Sequence, residues 1–307
     1  MHRAIVTGAT SMLGVSLIEE CINNSTPVVA IVRPFSKNID RLPKSDLITI
    51  VECDMTSYKD ISKQIEFGKG VFYHFAWSSA DRSRNDDLLG QVKNIQYTLD
   101  ALNSAKGIGC ELFVGVGSQA EYGDIKNEIM GPLTIPNPDT PYGICKYAAS
   151  KLAMIQSERL GIGYIWTRVF SVFGEYDHID SMISSTLRKI KVNKPTEFTD
   201  GKQMWDYLNS KDAGRAFYLV GKKGIPNSIY CIASGQSLPL SQYIQLIGKI
   251  TNPNYELGIG KIDKKNMKTR NLFADIQNLV DDTGFEPSVS FEDGIRMMWG
   301  KLTKNIY

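Results

Sequence analysis

The stretch Arg3-Ala-Ile-Val-Thr-Gly-Ala-Thr-Ser-Met-Leu-Gly14, near the start of the chain, decides the fold. Its apolar run Arg3–Thr7 predicts a buried strand, and Leu13–Asn23 predicts the helix that follows. Gly8 permits a tight turn between the two, and Gly14 permits the helix to pack closely on the strand. Such a turn directs backbone N–H groups and a helix N-terminus toward a phosphate. The stretch therefore predicts a dinucleotide site at the end of the first strand.

The middle of this turn departs from the usual pattern, because Ser11 stands where the dinucleotide fingerprint has a further glycine. A small hydroxyl can be accommodated beside a phosphate and can itself donate a hydrogen bond. An ordinary glycine-containing turn between a strand and a helix is the alternative interpretation. We expect cofactor contacts from six residues of the turn: Gly8, Thr10, Ser11, Met12, Leu13 and Gly14.

Strands and helices alternate over the first 170 residues. Further predicted strands are Pro27–Val32, Leu47–Glu52, Val71–Phe75, Glu111–Val116 and Gly163–Val169, and further predicted helices are Tyr58–Ile65, Asp86–Ala105 and Tyr142–Leu160. Several strands are apolar throughout, as a sheet covered on both faces requires. The alternation predicts an α/β fold with a doubly wound parallel sheet of the Rossmann type.

After Phe170 the alternation loosens. The remaining predicted elements are helices at Ser181–Val192, Ser241–Ile250 and Phe291–Leu302 and a strand at Ser228–Ala233 that rejoins the sheet. We therefore expect a dinucleotide-binding domain at 1–170, rejoined by about 203–233, and a smaller interleaved C-terminal lobe, mainly for substrate, at 171–307.

Composition excludes several classes of function. The 307 residues are 42% hydrophobic and carry a net charge of +2 with both signs interspersed, so we expect neither a nucleic-acid nor a membrane surface. No apolar run approaches a membrane span, and we expect no signal peptide, because a predicted strand starts almost at the first residue. The five scattered cysteines are expected to be reduced thiols in a cytoplasmic protein. The three histidines are too far apart in sequence to indicate a metal site.

A serine, a tyrosine and a lysine indicate the chemistry. Asp139-Thr-Pro141 predicts a helix start, so Tyr142 and Lys146 share one helix face. A neighbouring ammonium lowers the pKa of a phenol from about 10 toward the operating range. Ser118, at the end of an apolar strand, can donate to a carbonyl oxygen that gains charge. The trio predicts the proton transfer that accompanies a hydride transfer.

The tyrosine–lysine spacing alone is a weak signal, because a surface tyrosine and a helix lysine often have it. It recurs at Tyr122/Lys126, Tyr147/Lys151, Tyr207/Lys211 and Tyr218/Lys222. Only Tyr142/Lys146 lies just inside a predicted helix start and follows a serine at a strand end. These two features favour Tyr142/Lys146 as the catalytic pair.

The end of the second strand predicts the form of the cofactor. An acid there would bind the adenosine 2′-hydroxyl of NAD, but the sequence has Arg33, whose guanidinium suits a 2′-phosphate. A solvent-facing arginine is the alternative. The expected cofactor is therefore NADP, with NAD still possible.

These residues together resemble the extended short-chain dehydrogenase/reductases of the NAD-dependent epimerase/dehydratase family, whose members act on nucleotide-linked sugars. The similarity includes Thr140-Pro-Tyr-Gly-x-x-Lys146, Arg168-Val-Phe-Ser-Val-Phe-Gly174 and Trp205-Asp-Tyr207, and it covers nearly the whole chain. The resemblance implies further cofactor contacts from Asp54, Met55, Phe75, Ala76, Trp77, Asn94 and Val169, besides Tyr142 and Lys146.

Departures from the family pattern bear on the reaction. Gln119-Ala120 stand where the family's 4,6-dehydratases have an Asp-Glu pair, so dehydration is not expected. Trp205 replaces an arginine that commonly binds phosphate, and Arg270 resembles a second such arginine. Packing is the alternative role for Trp205, and that of a charged loop residue is the alternative for Arg270. The substrate contacts that the resemblance implies come from Ser118, Gln119, Ser171, Trp205 and Arg270.

The leading prediction is an NADP-dependent reductase of a nucleotide-linked 4-keto-6-deoxysugar, with Tyr142 as the proton donor. A nucleotide-sugar 4-epimerase that retains NAD is the first alternative, and a non-catalytic dinucleotide sensor is the second. The intact trio disfavours the sensor. The helices Asp86–Ala105 and Tyr142–Leu160 could pair in a homodimer, as they do in relatives.

Overall fold

The structure is a computed structural model that describes residues 1–80, 85–125, 128–263 and 270–304. Its strands are β1 (Ala4–Thr7), β2 (Val28–Val32), β3 (Ile48–Glu52), β4 (Val71–His74), β5 (Leu112–Ser118), β6 (Gly163–Val169), β7 (Ser171–Phe173), β8 (Thr196–Glu197), β9 (Met204–Asn209), β10 (Ile229–Ile232), β11 (Ser237–Pro239) and β12 (Leu257–Gly258). Its α-helices are α1 (Met12–Asn23), α2 (Leu88–Ile108), α3 (Pro141–Leu160), α4 (Met182–Lys191), α5 (Ser210–Lys223), α6 (Leu240–Thr251), α7 (Gln277–Thr283) and α8 (Phe291–Lys304).

Seven strands form one parallel sheet in the order β10-β6-β5-β4-β1-β2-β3. The chain builds outward from β1 to β3 and then crosses back to β4 on the other side of β1. The direction of winding therefore reverses between β1 and β4. Ligands of open α/β sheets bind at the carboxyl ends of the strands on either side of such a reversal. The predicted α/β Rossmann sheet is confirmed.

Both faces of the sheet are covered, and strand residues alternate between two cores. Ala4 and Val6 of β1 face the core beneath α1 and α5, whereas Ile5 faces the core beneath α2 and α3. In β4, Tyr73 faces the core beneath α1 and α5, and Phe72 faces the core beneath α2 and α3. Burial on both faces explains why these strands are apolar throughout.

The element boundaries differ from the predicted ones in a few places. Predicted strand Gly163–Val169 has the observed bounds, whereas β5 continues to Ser118 because β6 supplies partners up to Val169. The predicted helix Tyr58–Ile65 is part of a 3₁₀ stretch, Met55–Lys63. Its buried residues Tyr58 and Ile61 are three apart, and such residues eclipse on a 3₁₀ turn.

The C-terminal part of the chain forms a smaller group of elements. A three-stranded sheet β11-β9-β7 and a two-stranded sheet β12-β8 pack with α4, α6 and α8. They enclose a separate C-terminal core that contains Phe173, Ile247 and Ile295. Helix α7 instead packs Leu279 into the core beneath α1 and α5. The division into a dinucleotide-binding domain and a substrate lobe stays a prediction.

Two further observations concern the class of protein. All five cysteines are buried and unpaired by disulfides. Across residues 1–80, 85–125, 128–263 and 270–304, no helix is both long and apolar enough to cross a membrane.

Candidate active site

The turn after β1 closes on the turn after β4. The Thr7 hydroxyl contacts His74 Nδ1 at 2.9 Å and accepts from the Ala76 N–H at 3.2 Å. Gly8 has a φ of +64°, and a Cβ there would lie 2.9 Å from the Ala76 nitrogen. A Cβ on Gly14 would lie 2.4 Å from the Gly8 carbonyl oxygen. Gly8 is therefore required by its left-handed backbone and by the nearby Ala76, and Gly14 by the close approach of α1 to the turn.

Helix α1 presents its N-terminus at this point. Ser11 is its exposed cap, and the Ser11 hydroxyl oxygen accepts from the Gly14 N–H at 3.1 Å. The Thr10 carbonyl accepts from Arg41 at 3.4 Å, while Met12 begins the helix and Leu13 packs against the core. A capped helix N-terminus beside a crowded glycine turn fits a dinucleotide pyrophosphate.

The residues after β4 divide between backbone and side-chain roles. Phe75 packs edge-on against Phe217 in the core, with ring centroids 4.7 Å apart, so its backbone faces the turn. The Asn94 amide holds Ser78 at both ends, accepting from the Ser78 N–H at 2.8 Å and donating to the Ser78 carbonyl at 3.1 Å. Asn94 therefore fixes the loop that carries Trp77.

The remaining predicted cofactor residues lie at the carboxyl edge of the sheet. Asp54 caps the 3₁₀ stretch by accepting from the Thr56 N–H at 3.0 Å, and the hydrogen bonds from Thr56 lower the pKa of its carboxyl. Met55 follows it and packs against the core. Arg33 is exposed immediately beyond the end of β2, and Val169 ends β6.

The trio is assembled by helix α3 packing against the end of β5. Ser118 ends that strand and begins a 3₁₀ turn, Gln119–Tyr122. Thr140 caps α3, and Tyr142 lies in its first turn. A Cβ on Gly143 would lie 2.3 Å from the Ala120 carbonyl oxygen, so glycine at this position lets the helix approach the turn. The structure thus brings the start of α3 against the turn that Ser118 begins.

Lys146 is buried at the centre of this arrangement. Its Nζ donates to the Val116 carbonyl at 2.6 Å and lies 3.7 Å from the centroid of the Trp77 ring and 5.8 Å from that of Tyr142. The Trp77 ring also meets the Tyr142 ring edge-on at 6.1 Å. Burial lowers the pKa of Lys146 to about 7, against the opposing effect of the negative charge of Glu121.

His74 is a neutral structural neighbour of this lysine. Burial and the positive charge of Lys146 lower the pKa of His74 to about 3. Its ring contacts the hydroxyls of Thr7 and Thr98 at 2.9 and 3.4 Å. These contacts give His74 a structural role between β1 and α2.

The other tyrosine–lysine pairs lie elsewhere or outside the described part of the chain. Tyr147/Lys151 is further along α3 with Lys151 exposed, and Tyr218/Lys222 is on α5. Tyr207 is packed among aromatic rings of the C-terminal core, and Lys126 lies outside the described residues. Among the described pairs, Tyr142/Lys146 is the one placed against the turn of Ser118.

The predicted substrate residues occupy different surroundings. Ser171 begins β7 and pairs with Tyr207 of β9. The Gln119 Oε1 and Trp205 Nε1 atoms are buried, and neither has a hydrogen-bond partner within the part of the chain that the structure describes. Arg270 forms an ion pair with Asp139, with Nη2 and Oδ2 2.6 Å apart.

One pair of residues was missed in the sequence. Glu121 is buried beneath Ser118, where its Oε2 accepts from Arg168 Nε at 3.0 Å and its Oε1 accepts from the Ser118 N–H at 2.9 Å. The signal was present, because Ser118-x-x-Glu121 is a capping box. Its buried partner, 47 residues away, could not be predicted from the spacing.

Comparison with known proteins identifies the family. Residues 4–233 match the model of the NAD dependent epimerase/dehydratase family, and the chain belongs to that family. A protein of Bacillus subtilis (strain 168) described as an uncharacterized UDP-glucose epimerase is 24% identical over 95% of both chains. GDP-6-deoxy-D-mannose reductase of Pseudomonas aeruginosa is 24% identical over 66% of this chain and 70% of its own.

Solved structures share the fold of this chain. UDP-glucose 4-epimerase of Thermotoga maritima, solved with UDP-glucose, superposes with a TM-score of 0.87 at 20% identity over 99% of this chain and 100% of that chain. UDP-glucuronic acid 4-epimerase of Bacillus cereus, solved with NAD, gives 0.84 at 22% identity over 99% of this chain and 97% of that chain.

Proposed function

We propose that this protein is an NADP-dependent reductase that converts a nucleotide-linked 4-keto-6-deoxysugar to the corresponding 4-hydroxy sugar. The observation that carries the proposal is the packing of Gly143 against the carbonyl of Ala120, which brings the start of α3 to the turn of Ser118. Such a trio suits the interconversion of a carbonyl and an alcohol.

The residues of the chain have separate roles in this reaction. When bound, the reduced nicotinamide supplies the hydride that is delivered to C4. Ser118 donates a hydrogen bond to the carbonyl oxygen as charge develops on it, and Tyr142 protonates that oxygen. The ammonium of Lys146 stabilises the phenolate that forms when Tyr142 gives up its proton. It also holds the nicotinamide ribose. The buried position of Lys146 strengthens its effect on Tyr142, because water does not screen it.

The residues beside Ser118 support reduction over dehydration. Elimination of water across two carbons needs an acid and a base at the sugar, whereas Gln119 carries an amide and Ala120 a methyl group. The unpaired buried Oε1 of Gln119 is available to accept from a sugar hydroxyl. The unpaired Nε1 of Trp205 is available as a donor, and we assign Ser171, Trp205 and Arg270 to the same substrate.

Arg33 supports the phosphorylated cofactor. Its exposed guanidinium stands just after β2, on the side of the switch point where the adenosine ribose of a dinucleotide lies. A guanidinium binds phosphate through two parallel hydrogen bonds, which a ribose hydroxyl cannot match. We therefore assign NADP as the cofactor.

A 4-epimerase with retained NAD is the second candidate function. It is favoured by the Bacillus subtilis relative, which matches 95% of this chain and is described as an epimerase. The same trio would serve, because epimerisation oxidises C4 and then reduces it from the other face.

The deciding experiment incubates the protein with NADPH and a panel of 4-keto-6-deoxysugars on different nucleotides, following absorbance at the nicotinamide band and the product stereochemistry. Stoichiometric oxidation of NADPH with one of these sugars is expected. Interconversion of C4 epimers without added cofactor, and with no oxidation of NADPH, would replace the reductase with the epimerase. Binding of the dinucleotide with neither reaction would favour a non-catalytic dinucleotide sensor.

A further inference from the structure

A buried carboxylate lies directly beneath the proposed catalytic serine. Glu121 is fully buried, on the 3₁₀ turn that Ser118 begins. Its recorded partners all donate to it: the Ser118 N–H at 2.9 Å, Trp166 Nε1 at 3.0 Å and Arg168 Nε at 3.0 Å. An ionised carboxylate only accepts hydrogen bonds, so a set of three donors suits the charged form.

The surrounding chain is shaped to hold this group. A Cβ on Gly117 would lie 2.1 Å from Glu121 Oε1 and 2.3 Å from Trp166 Nε1, so a side chain there would displace the carboxylate. Arg168 is 1% exposed and lies 4.6 Å from the Tyr122 ring centroid. Burial of a charge is costly unless it is paired and hydrogen-bonded. Pairing to Arg168 with two further donors meets that condition.

Glu121 and Lys146 bind the same strand, β5, at positions two residues apart. Glu121 accepts from the N–H of Ser118, and Lys146 donates to the carbonyl of Val116 at 2.6 Å. Both groups are buried, so water screens their attraction weakly. The ammonium therefore has a buried negative charge near it, and the strand end with Ser118 is fixed by the same carboxylate.

We propose that Glu121 is a positioning residue that fixes Ser118 and supplies a buried negative charge that favours the protonated form of Lys146 in its dry surroundings. The inference rests on the proposed catalytic role of the trio but not on the identity of the sugar. Arg168 serves as the partner that lets this charge be buried.

Every charged or titratable group around the pair bears on its ionisation. Lys146 has Tyr142 on its own helix, His74 on β4 and Glu121 on the turn after β5. Glu121 has Arg168 on β6, with Tyr122, Tyr164 and Cys231 beyond. Burial raises the pKa of Glu121, while Arg168 and the N–H donors of Ser118 and Trp166 oppose the rise. The charge of Arg168 and the hydrogen bonds from Arg168, Ser118 and Trp166 favour the carboxylate.

The test is a titration that needs no substrate. The full-length protein is labelled with [ε-¹³C]lysine, and the signal of Lys146 is identified by its loss in Lys146→Met. The midpoint for Lys146 is expected near 7. Glu121→Gln keeps an oxygen for the Ser118 N–H but removes the charge, so the midpoint should fall by about one pH unit or more. An unchanged midpoint overturns the electrostatic half of the proposal.

Two further variants secure this result. Trp166→Phe removes a neutral donor to Glu121 but keeps both charges, so its midpoint should match the parent; a fall equal to that of Glu121→Gln would assign the effect to packing and overturn the proposal. If Glu121→Gln does not fold because Arg168 is left unpaired, Glu121→Gln/Arg168→Gln replaces the ion pair by two amides. The midpoint should still fall, because Glu121 is the charge that acts on Lys146.

Glu121→Asp tests the positioning of Ser118. The shorter side chain keeps the charge but withdraws from the Ser118 N–H, so the Lys146 midpoint should hold while kcat falls with little change in KM. Displacement of a reacting group by about 1 Å can lower the rate about a hundredfold. An unchanged kcat overturns this half. If the parent protein reduces no sugar, the proposed function fails, while the lysine titration still decides the role of the charge.

Discussion

Replacing Lys146 by methionine should change how the stability of the protein depends on pH. Burial moves the pKa of Lys146 from 10.5 to about 7 in the folded state. Between these values the unfolded chain binds a proton that the folded chain has lost, so folded-state stability rises with pH. Below pH 7 the full penalty for burying the ammonium is present. Above pH 10.5 the penalty is gone.

The size of the effect follows from the shift. A fall in pKa from 10.5 to about 7 corresponds to about 5 kcal/mol at low pH. Methionine removes this penalty, but it also leaves the Val116 carbonyl without its 2.6 Å donor and loses the contact with Trp77. The loss of the donor to Val116 costs about 1–3 kcal/mol, and the loss of the contact with the Trp77 ring costs up to about 2 kcal/mol. We therefore expect Lys146→Met to lie between the stability of the parent and about 4 kcal/mol above it at pH 6.

The pH dependence is the sharper quantity, because the lost contacts cancel from it. Urea unfolding of both proteins at pH 6 and pH 9 should show the parent gaining roughly 2–3 kcal/mol relative to Lys146→Met. Lys151→Met, which removes an exposed lysine from the same helix, is the matched control and should show no such change. A free-energy difference between the parent and Lys146→Met that is the same at both pH values would refute the burial of an ionisable lysine at this position.

Three further substitutions test the site. Tyr142→Phe should retain cofactor affinity in a fluorescence titration but lose about 10²- to 10⁴-fold in kcat; near-normal turnover would contradict its role. Arg33→Ala should reduce the preference for NADPH over NADH in kcat/KM by about ten- to a hundredfold, the worth of a charge-assisted bond. Gly8→Ala places a side chain at a φ of +64° and 2.9 Å from the Ala76 nitrogen, so NADPH should no longer shift its thermal unfolding.

The parts of the site that could be predicted from the sequence are set by local geometry. The helix start at Gly14 is fixed by its close approach to the Gly8 carbonyl, and the start of α3 is fixed by Thr140 and Pro141. The positions of Tyr142 and Lys146 on one face then follow from the period of the helix. Strands buried on both faces also leave a plain signal in apolar runs.

The parts that could not be predicted depend on pairings between distant segments. Arg168 meets Glu121 only because β6 lies beside β5, and Arg270 meets Asp139 across 131 residues. The strands of the smaller sheets are two to six residues long, too short to show a period of two with certainty. Arg270 shows the consequence: its charge was visible in the sequence, but its carboxylate partner was not.

The proposed role of Lys146 sets function against stability. A lysine at this position costs stability at neutral pH, and a hydrophobic residue of similar length would remove that cost. The chain nevertheless buries the ammonium, gives it the Val116 carbonyl and the Trp77 ring, and places Glu121 beneath the same strand. These contacts offset the loss of water without exposing the group. In the proposed mechanism a buried ammonium acts on the phenol of Tyr142 through a medium of low dielectric, where its effect on the transferred proton is greatest. The conditions that destabilise Lys146 are therefore the ones that make it effective.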